Sequence, residues 1–138
     1  MTYLLDTNVV SETMARQPEP AVLAWCESNM AECALSCVTL GEIWKGIHLL
    51  PEGKRKKTYA AWAEGIERDH AHVCLSLDTF VLKHWGRLCG KNQAKGLNLG
   101  ILDSLIAATA IAHGLIVVTR NTRDFPHEVK TFNPWEEA

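Results

Sequence analysis

Three short apolar runs constrain this chain more than any other feature. Residues 2–5 ("TYLL"), 33–38 ("CALSCV") and 115–119 ("LIVVT") each read as a buried strand, and the last is the clearest because it is β-branched and ends at Thr119. A further short strand fits residues 73–75. The intervals carry helical patterns over 19–30, from about 40 to 50, over 56–69, after Asp78, and over 101–114 with Gly114 as the stop. Strands alternating with helices predict an α/β fold with a mainly parallel sheet covered by helices on both faces. In such a sheet ligands bind beyond the carboxyl ends of the strands, where the strand order reverses.

The chain has the length of one ordinary domain, 138 residues. No repeat, linker or low-complexity stretch divides it, so residues 1–138 are expected to form a single domain. The longest apolar stretches fall short of the roughly 18 residues that span a bilayer. The N-terminus shows no signal-peptide pattern, so a cytoplasmic protein without membrane attachment is expected. The five cysteines are odd in number and form no CxxC, which predicts buried thiols rather than disulfides or zinc ligands. The five tryptophans are expected in the core. GxGxxG, P-loop and GxSxG motifs are absent, which removes dinucleotide, Walker-type and serine-hydrolase readings. The alternate histidines of "HAH" (70–72) have no neighbouring acid or cysteine pattern and read as surface groups.

The net charge of −2 hides an uneven distribution. No acid lies between Asp78 and Asp103, whereas Lys83, Arg87, Lys91 and Lys95 recur every four residues and would line one face of a helix. A second basic block, "KRKK", occupies 54–57. Either block is a solvated surface or a track for a polyanion.

Four carboxylates sit in unusual places. Asp6 follows the first strand, Glu42 lies in "TLGE", Asp103 in "ILDSLIAA", and Asp124 follows the last clear strand. Each has an ordinary explanation. Asp6 suits an Asx turn; Glu42 fits a capping box with Thr39 as the cap; Asp103 favours the positive end of a helix; Asp124 lies in a polar turn. Together they fall where sites form in α/β layers. Converging carboxylates repel one another, and a divalent cation removes that penalty, with all-oxygen ligands selecting Mg²⁺ or Mn²⁺.

The stretches "LLDTNVVSE", "TLGEIWKGI", "ILDSLIAATA" and "VVTRNTRDF", in that order, resemble the four motifs of the PIN-domain ribonucleases. The likeness is strongest to the VapC-type toxins of bacterial toxin–antitoxin pairs, in their FitB-like branch, and "LLPEGKRK" (49–56) is also typical of that branch. It covers residues 3 to about 134. It implies a PIN fold, a Rossmann-like parallel sheet sandwiched by helices (α/β/α). It also implies a Mg²⁺-dependent endoribonuclease, with Mn²⁺ as a substitute, leaving 5′-phosphate and 3′-hydroxyl ends. Carried onto this chain, the motif acids are Asp6, Glu42, Asp103 and Asp124. Asp6 and Asp103 are expected to ligate the metal, and Glu42 to ligate it or orient its water. Thr7, Asn8, Thr119 and Asn121 are polar helpers. Many relatives carry an aspartate where Asn121 stands, so the fourth-motif role is left between Asn121 and Asp124. Lys83, Arg87, Lys91, Lys95, Arg120 and Arg123 become candidate contacts to the RNA backbone. The resemblance further implies a homodimer and a small antitoxin whose tail enters the acidic cleft. Two other readings are retained: a PIN-like module that binds antitoxin or RNA without cutting, and a phosphotransfer domain in which Asp6 accepts phosphate.

Overall fold

The computed structural model describes residues 1–137. Its sheet has five strands, β1 (Tyr3–Leu5), β2 (Cys33–Ser36), β3 (Cys74–Leu75), β4 (Ile116–Val118) and β5 (Thr131–Phe132). Their order is β3-β2-β1-β4-β5 and every pairing is parallel. Seven α-helices connect them: α1 (Thr7–Glu12), α2 (Pro20–Asn29), α3 (Cys37–His48), α4 (Lys54–His70), α5 (Thr79–Ala94), α6 (Ile101–His113) and α7 (Pro134–Glu137). The chain builds outward from β1 to β3, then returns to place β4 on the other side of β1. The strand order therefore reverses between β1 and β4, and their carboxyl ends face the crevice where an α/β sheet binds its ligand.

Alternation along each strand divides the core in two. Leu4, Ala34 and Val117 point to the face covered by α5 and α6, where they meet Leu88, Ile106, Ala107 and Ala110. Leu5, Cys33, Leu35 and Val118 point to the other face and pack with Val9, Val10, Val22, Ile43, Ile47 and Ala63 from α1 to α4. A period of two with both faces covered is the arrangement that apolar runs such as "LIVV" require. Ala107, Ala108 and Ala110 of α6 are fully buried, and their small side chains let the helix lie close to the sheet.

Local chemistry sets the helix ends. The Asp78 carboxylate accepts from the Val81 N–H at 2.9 Å and starts α5, as its position in the sequence suggested. Gly114 ends α6 at φ 66°, a left-handed conformation, and the following Leu115 N–H returns to the Ala110 carbonyl at 2.8 Å.

Three features depart from the sequence reading. Residues 7–12 form α1, because Asp6 acts as its N-cap and accepts from the Thr7 N–H. The two-residue strand β5 is too short to carry a pattern. α3 begins at Cys37, three residues earlier than expected, capped by the Ser36 hydroxyl, which accepts from the Val38 N–H at 3.1 Å. The cysteines are free thiols, with Cys26 and Cys33 buried and the others half-buried. The tryptophans are half-buried, and Trp25, Trp44, Trp62 and Trp135 pack against the margin of the α1–α4 core rather than inside it. Among the described residues no helix is long and apolar enough to cross a membrane.

Leu4 is fully buried at the centre of the sheet. Leu4→Ala is expected to cost about 2–5 kcal/mol through lost burial and the cavity left behind. Urea unfolding of the two proteins side by side measures this; a loss below 1 kcal/mol would place Leu4 outside the main core.

Candidate active site

The pairing of β1 with β4 builds the site. The backbone N–H of Asp6 donates to the Val118 carbonyl at 2.9 Å, extending the ladder by one bond and setting Asp6 beside Thr119. Both are buried. Asp6 Oδ2 accepts from the Thr119 hydroxyl at 2.8 Å and from Asn8 Nδ2 at 3.2 Å, while Oδ1 accepts from the Thr7 N–H at 2.8 Å. Thr119 Oγ1 in turn accepts from the Asn121 N–H at 3.0 Å, and Asn8 Oδ1 accepts from the Arg120 N–H at 3.2 Å. Burial pushes the Asp6 carboxyl above the ordinary aspartate range; its hydrogen bonds oppose that rise, and the charge of Asp124 adds to it.

Glu42 is not the partner of a capping box. Ser36 caps α3, Thr39 is buried within the helix with its hydroxyl unpartnered among the described residues, and Glu42 lies a turn further along. Its Oε1 accepts from the Thr7 hydroxyl at 2.6 Å, so Thr7 links two of the acids through its N–H and its hydroxyl.

Asp103 sits in the first turn of α6, whose N-cap, Gly100, offers no side-chain cap. Its carboxyl is pushed up to about 6 by burial, then by the charges of Asp6, Asp124 and Glu42. Asp103 is thus close enough to the other three sequence-predicted acids to sense their charge. As they stand, no three His, Cys, Asp or Glu side chains among the described residues are grouped tightly enough to enclose a metal ion. The donor set is nevertheless that of a hard cation such as Mg²⁺, all carboxylate oxygen. Such ions keep several waters and are held by one or two carboxylates plus substrate phosphate. A loose set of acids suits that mode better than a closed cage.

Asp124 lies in a short 3-10 turn (Thr122–Asp124) and lines, with Asp103, a polar pocket of about 470 Å³. The same pocket is lined by Asn92, Asn98, Arg123 and His127. Asn121 contributes its backbone N–H to Thr119.

The candidate cations separate. The Arg120 guanidinium stacks over the Trp135 ring at 5.1 Å, held near the site because Asn133 Nδ2 donates to the Arg120 carbonyl. Arg123 lines the polar pocket. Lys83, Arg87 and Lys91 are exposed on α5, and Lys95 is its C-cap. Arg87 and Lys91 line a shallow depression with His84, Leu88, Ile111 and Glu128, which Lys83 and Lys95 do not. In the "KRKK" block, Arg55 lies over Tyr59 and Lys56 pairs with Glu52 at 2.7 Å.

Sequence reasoning missed Asn92, Asn98 and His127, which share a wall with two of the acids. The turn-rich "GLNLG" (96–100) before α6 is the signal that could have drawn notice to Asn98; nothing local distinguishes His127.

A model of the PIN domain family matches residues 3–128. The chain is 37% identical to VapC ribonuclease Y4jK of Sinorhizobium fredii, over 98% of this chain and 99% of that relative. It is 36% identical to toxin FitB of Neisseria gonorrhoeae, over 97% and 99% respectively. A solved structure of FitAB bound to a DNA fragment superposes with a TM-score of 0.92 at 34% identity, covering 99% of this chain and 98% of that one.

The raised Asp103 carboxyl has a consequence for stability. A carboxyl whose folded pKa lies above its ordinary value of 3.8 imposes no cost below that pH. The cost grows as pH rises from 3.8 to about 6 and is complete above that. In EDTA, Asp103→Asn is therefore expected to melt above the parent at pH 8 and level with it at pH 4. Thermal unfolding across that range checks the sign, and a constant difference would remove the electrostatic account.

Proposed function

The chain belongs to the PIN-domain family, and we propose that it is a divalent-metal-dependent endoribonuclease, Mg²⁺ being the fitting ion, that acts as the toxin of a toxin–antitoxin pair. The observation that carries this reading is the gathering of Asp6, Glu42 and Asp124 around Asp103 at the reversal of strand order, where burial, and then the charges of the other three, push the Asp103 carboxyl up to about 6. The relatives named as a ribonuclease and a toxin support it.

Asp6 and Asp103 would hold the metal. A bound divalent cation offsets the clustered charge, acidifies a water and neutralises phosphate oxygens. The remaining work falls to the chain's own groups. Thr119 and the Thr7 N–H hold Asp6 in one orientation, so its carboxylate is placed before substrate arrives. Thr7 engages Glu42 Oε1 and leaves Oε2 to accept the proton of the attacking water. Water attacks phosphorus in line as Glu42 takes its proton, the P–O3′ bond breaks and O3′ takes a proton from solvent, giving 3′-hydroxyl and 5′-phosphate ends. Asp124 completes the negative wall of the pocket, and Arg120 and Arg123 contact the RNA backbone beside it.

A small antitoxin is the second partner in this proposal. Beside the acids runs a groove lined by Thr7, Glu42, Tyr59 and Trp62. Trp62 also borders an apolar cavity of about 200 Å³ lined by Leu5, Val9, Val10 and Ile66. An apolar helix with a charged tail would find both surfaces in reach of the site. Homodimerisation belongs to the same reading, with exposed Ile101 and Leu102 at the start of α6 as apolar surface available for it. The whole chain is taken as one domain acting in the cytoplasm.

The test is incubation of purified protein with mixed single-stranded and transfer RNA, with Mg²⁺ or EDTA, beside Asp6→Asn and Asp103→Asn. Cleavage is expected only with metal and should fall by more than about 100-fold in each variant. Cleavage that survives both substitutions would remove the site assignment. A protein that binds RNA but never cuts would favour a non-cleaving module.

A further inference from the structure

The polar pocket beside Asp103 and Asp124 continues toward the basic face of α5. Asn92, buried on α5, lines that pocket, and its amide donates to the Leu88 carbonyl at 2.8 Å and to Glu128 Oε2 at 3.0 Å. Leu88 and Glu128 line the neighbouring depression with His84, Arg87 and Lys91. His127, on the pocket side, contacts Glu128 at 3.2 Å. Glu128 is thereby held between Asn92 and His127, which leaves Arg87 and Lys91, in the same depression, as cations with no acidic partner among the described residues. Those two residues stand one helical turn apart, about 6 Å along the axis, on a common face of α5. That is the scale of successive phosphates on an extended strand.

The pocket itself joins an apolar floor, Leu99, Phe125 and Pro126, to the side chains of Asn98, Arg123 and His127. Its volume of about 470 Å³ admits a planar ring, and amide, guanidinium and imidazole groups read the edges of unstacked bases.

We propose that the RNA strand leaves the acidic centre through this pocket, which holds the base next to the scissile phosphate, and that the following phosphates lie on Lys91 and Arg87. This deepens the ribonuclease reading and rests on it for the identity of the strand. The pocket then sets base preference, whereas α5 supplies affinity without preference.

Two measurements test it on the full chain. In the Asp103→Asn background, which leaves RNA uncut, binding of a fluorescent random-sequence single-stranded RNA is followed by anisotropy over a salt series. Arg87→Gln with Lys91→Gln should weaken binding and flatten the slope of log affinity against log salt by about 1.4, the value for two phosphate contacts on a single strand. Arg68→Gln, which removes a cation on α4, should leave the slope unchanged. An unchanged slope in the double variant overturns the α5 track. In the otherwise native chain, cut sites in the same random pool are sequenced. Asn98→Ala with His127→Ala should change base preference at one position beside the cut, while Arg87→Gln with Lys91→Gln should raise KM and leave preference and kcat alone. A uniform loss of rate with preference intact overturns the base pocket. All four side chains are exposed, so none of these substitutions opens the core. If the parent cuts no RNA, the nuclease reading fails, and the binding series still decides the track.

Discussion

The parallel ladder between β1 and β4 governs this molecule, because one further hydrogen bond past it, Asp6 N–H to the Val118 carbonyl, aligns two residues 113 positions apart. The Thr119 hydroxyl can then donate to Asp6 while accepting from the Asn121 N–H. Asp6 is also the N-cap of α1, and through Thr7 it stands one residue from the group that orients Glu42. A slip of register by one residue would reverse every side chain of β1, sending Leu4 and Leu5 to the wrong cores and Asp6 out of the crevice. The same pairing thus decides how the two halves of the core are filled and where the acids meet.

The site works against the fold that carries it. Burial and like charge raise two of its carboxyls, and only hydrogen bonds to Asp6 counter this. For Asp103 burial is the larger cause, and the charges of Asp6, Asp124 and Glu42 add to it. Proteins tolerate such local frustration where a ligand relieves it, and the distribution here, one acid held rigidly and one left strained, suits a centre that assembles around a cation and a phosphate rather than a permanent metal cage.

Much of this was legible from the chain. Strand ends followed by Asp6 and Thr119, and Asp103 embedded in apolar neighbours, marked the crevice because α/β sheets place their ligands there. The illegible parts share a physical cause. α1 has six residues and opens with Thr7 and Asn8, which suit turns as well as helices. β5 has two residues and is defined only by its neighbour. Glu42 in "TLGE" satisfied a local capping pattern, yet its actual partner, Thr7, is 35 positions away. The basic stripe was visible as a repeat of four, but which of its members line the depression beside the pocket depends on how α5 packs against α6 and on where Glu128 falls.

The contact between positions so far apart in the sequence also fixes when the site can exist. β1 and Asp6 are synthesised well before Thr119, which is 113 positions later, and before the Phe132 carbonyl that accepts from the Thr119 N–H and the Asn133–Trp135 segment that holds Arg120. A growing chain therefore carries Asp6 with its local partners Thr7 and Asn8 alone until β4 and Thr119 have been made. The crevice closes only once those later segments have been added, so a nascent chain that stops short of β4 carries the early acids without the wall they are to face.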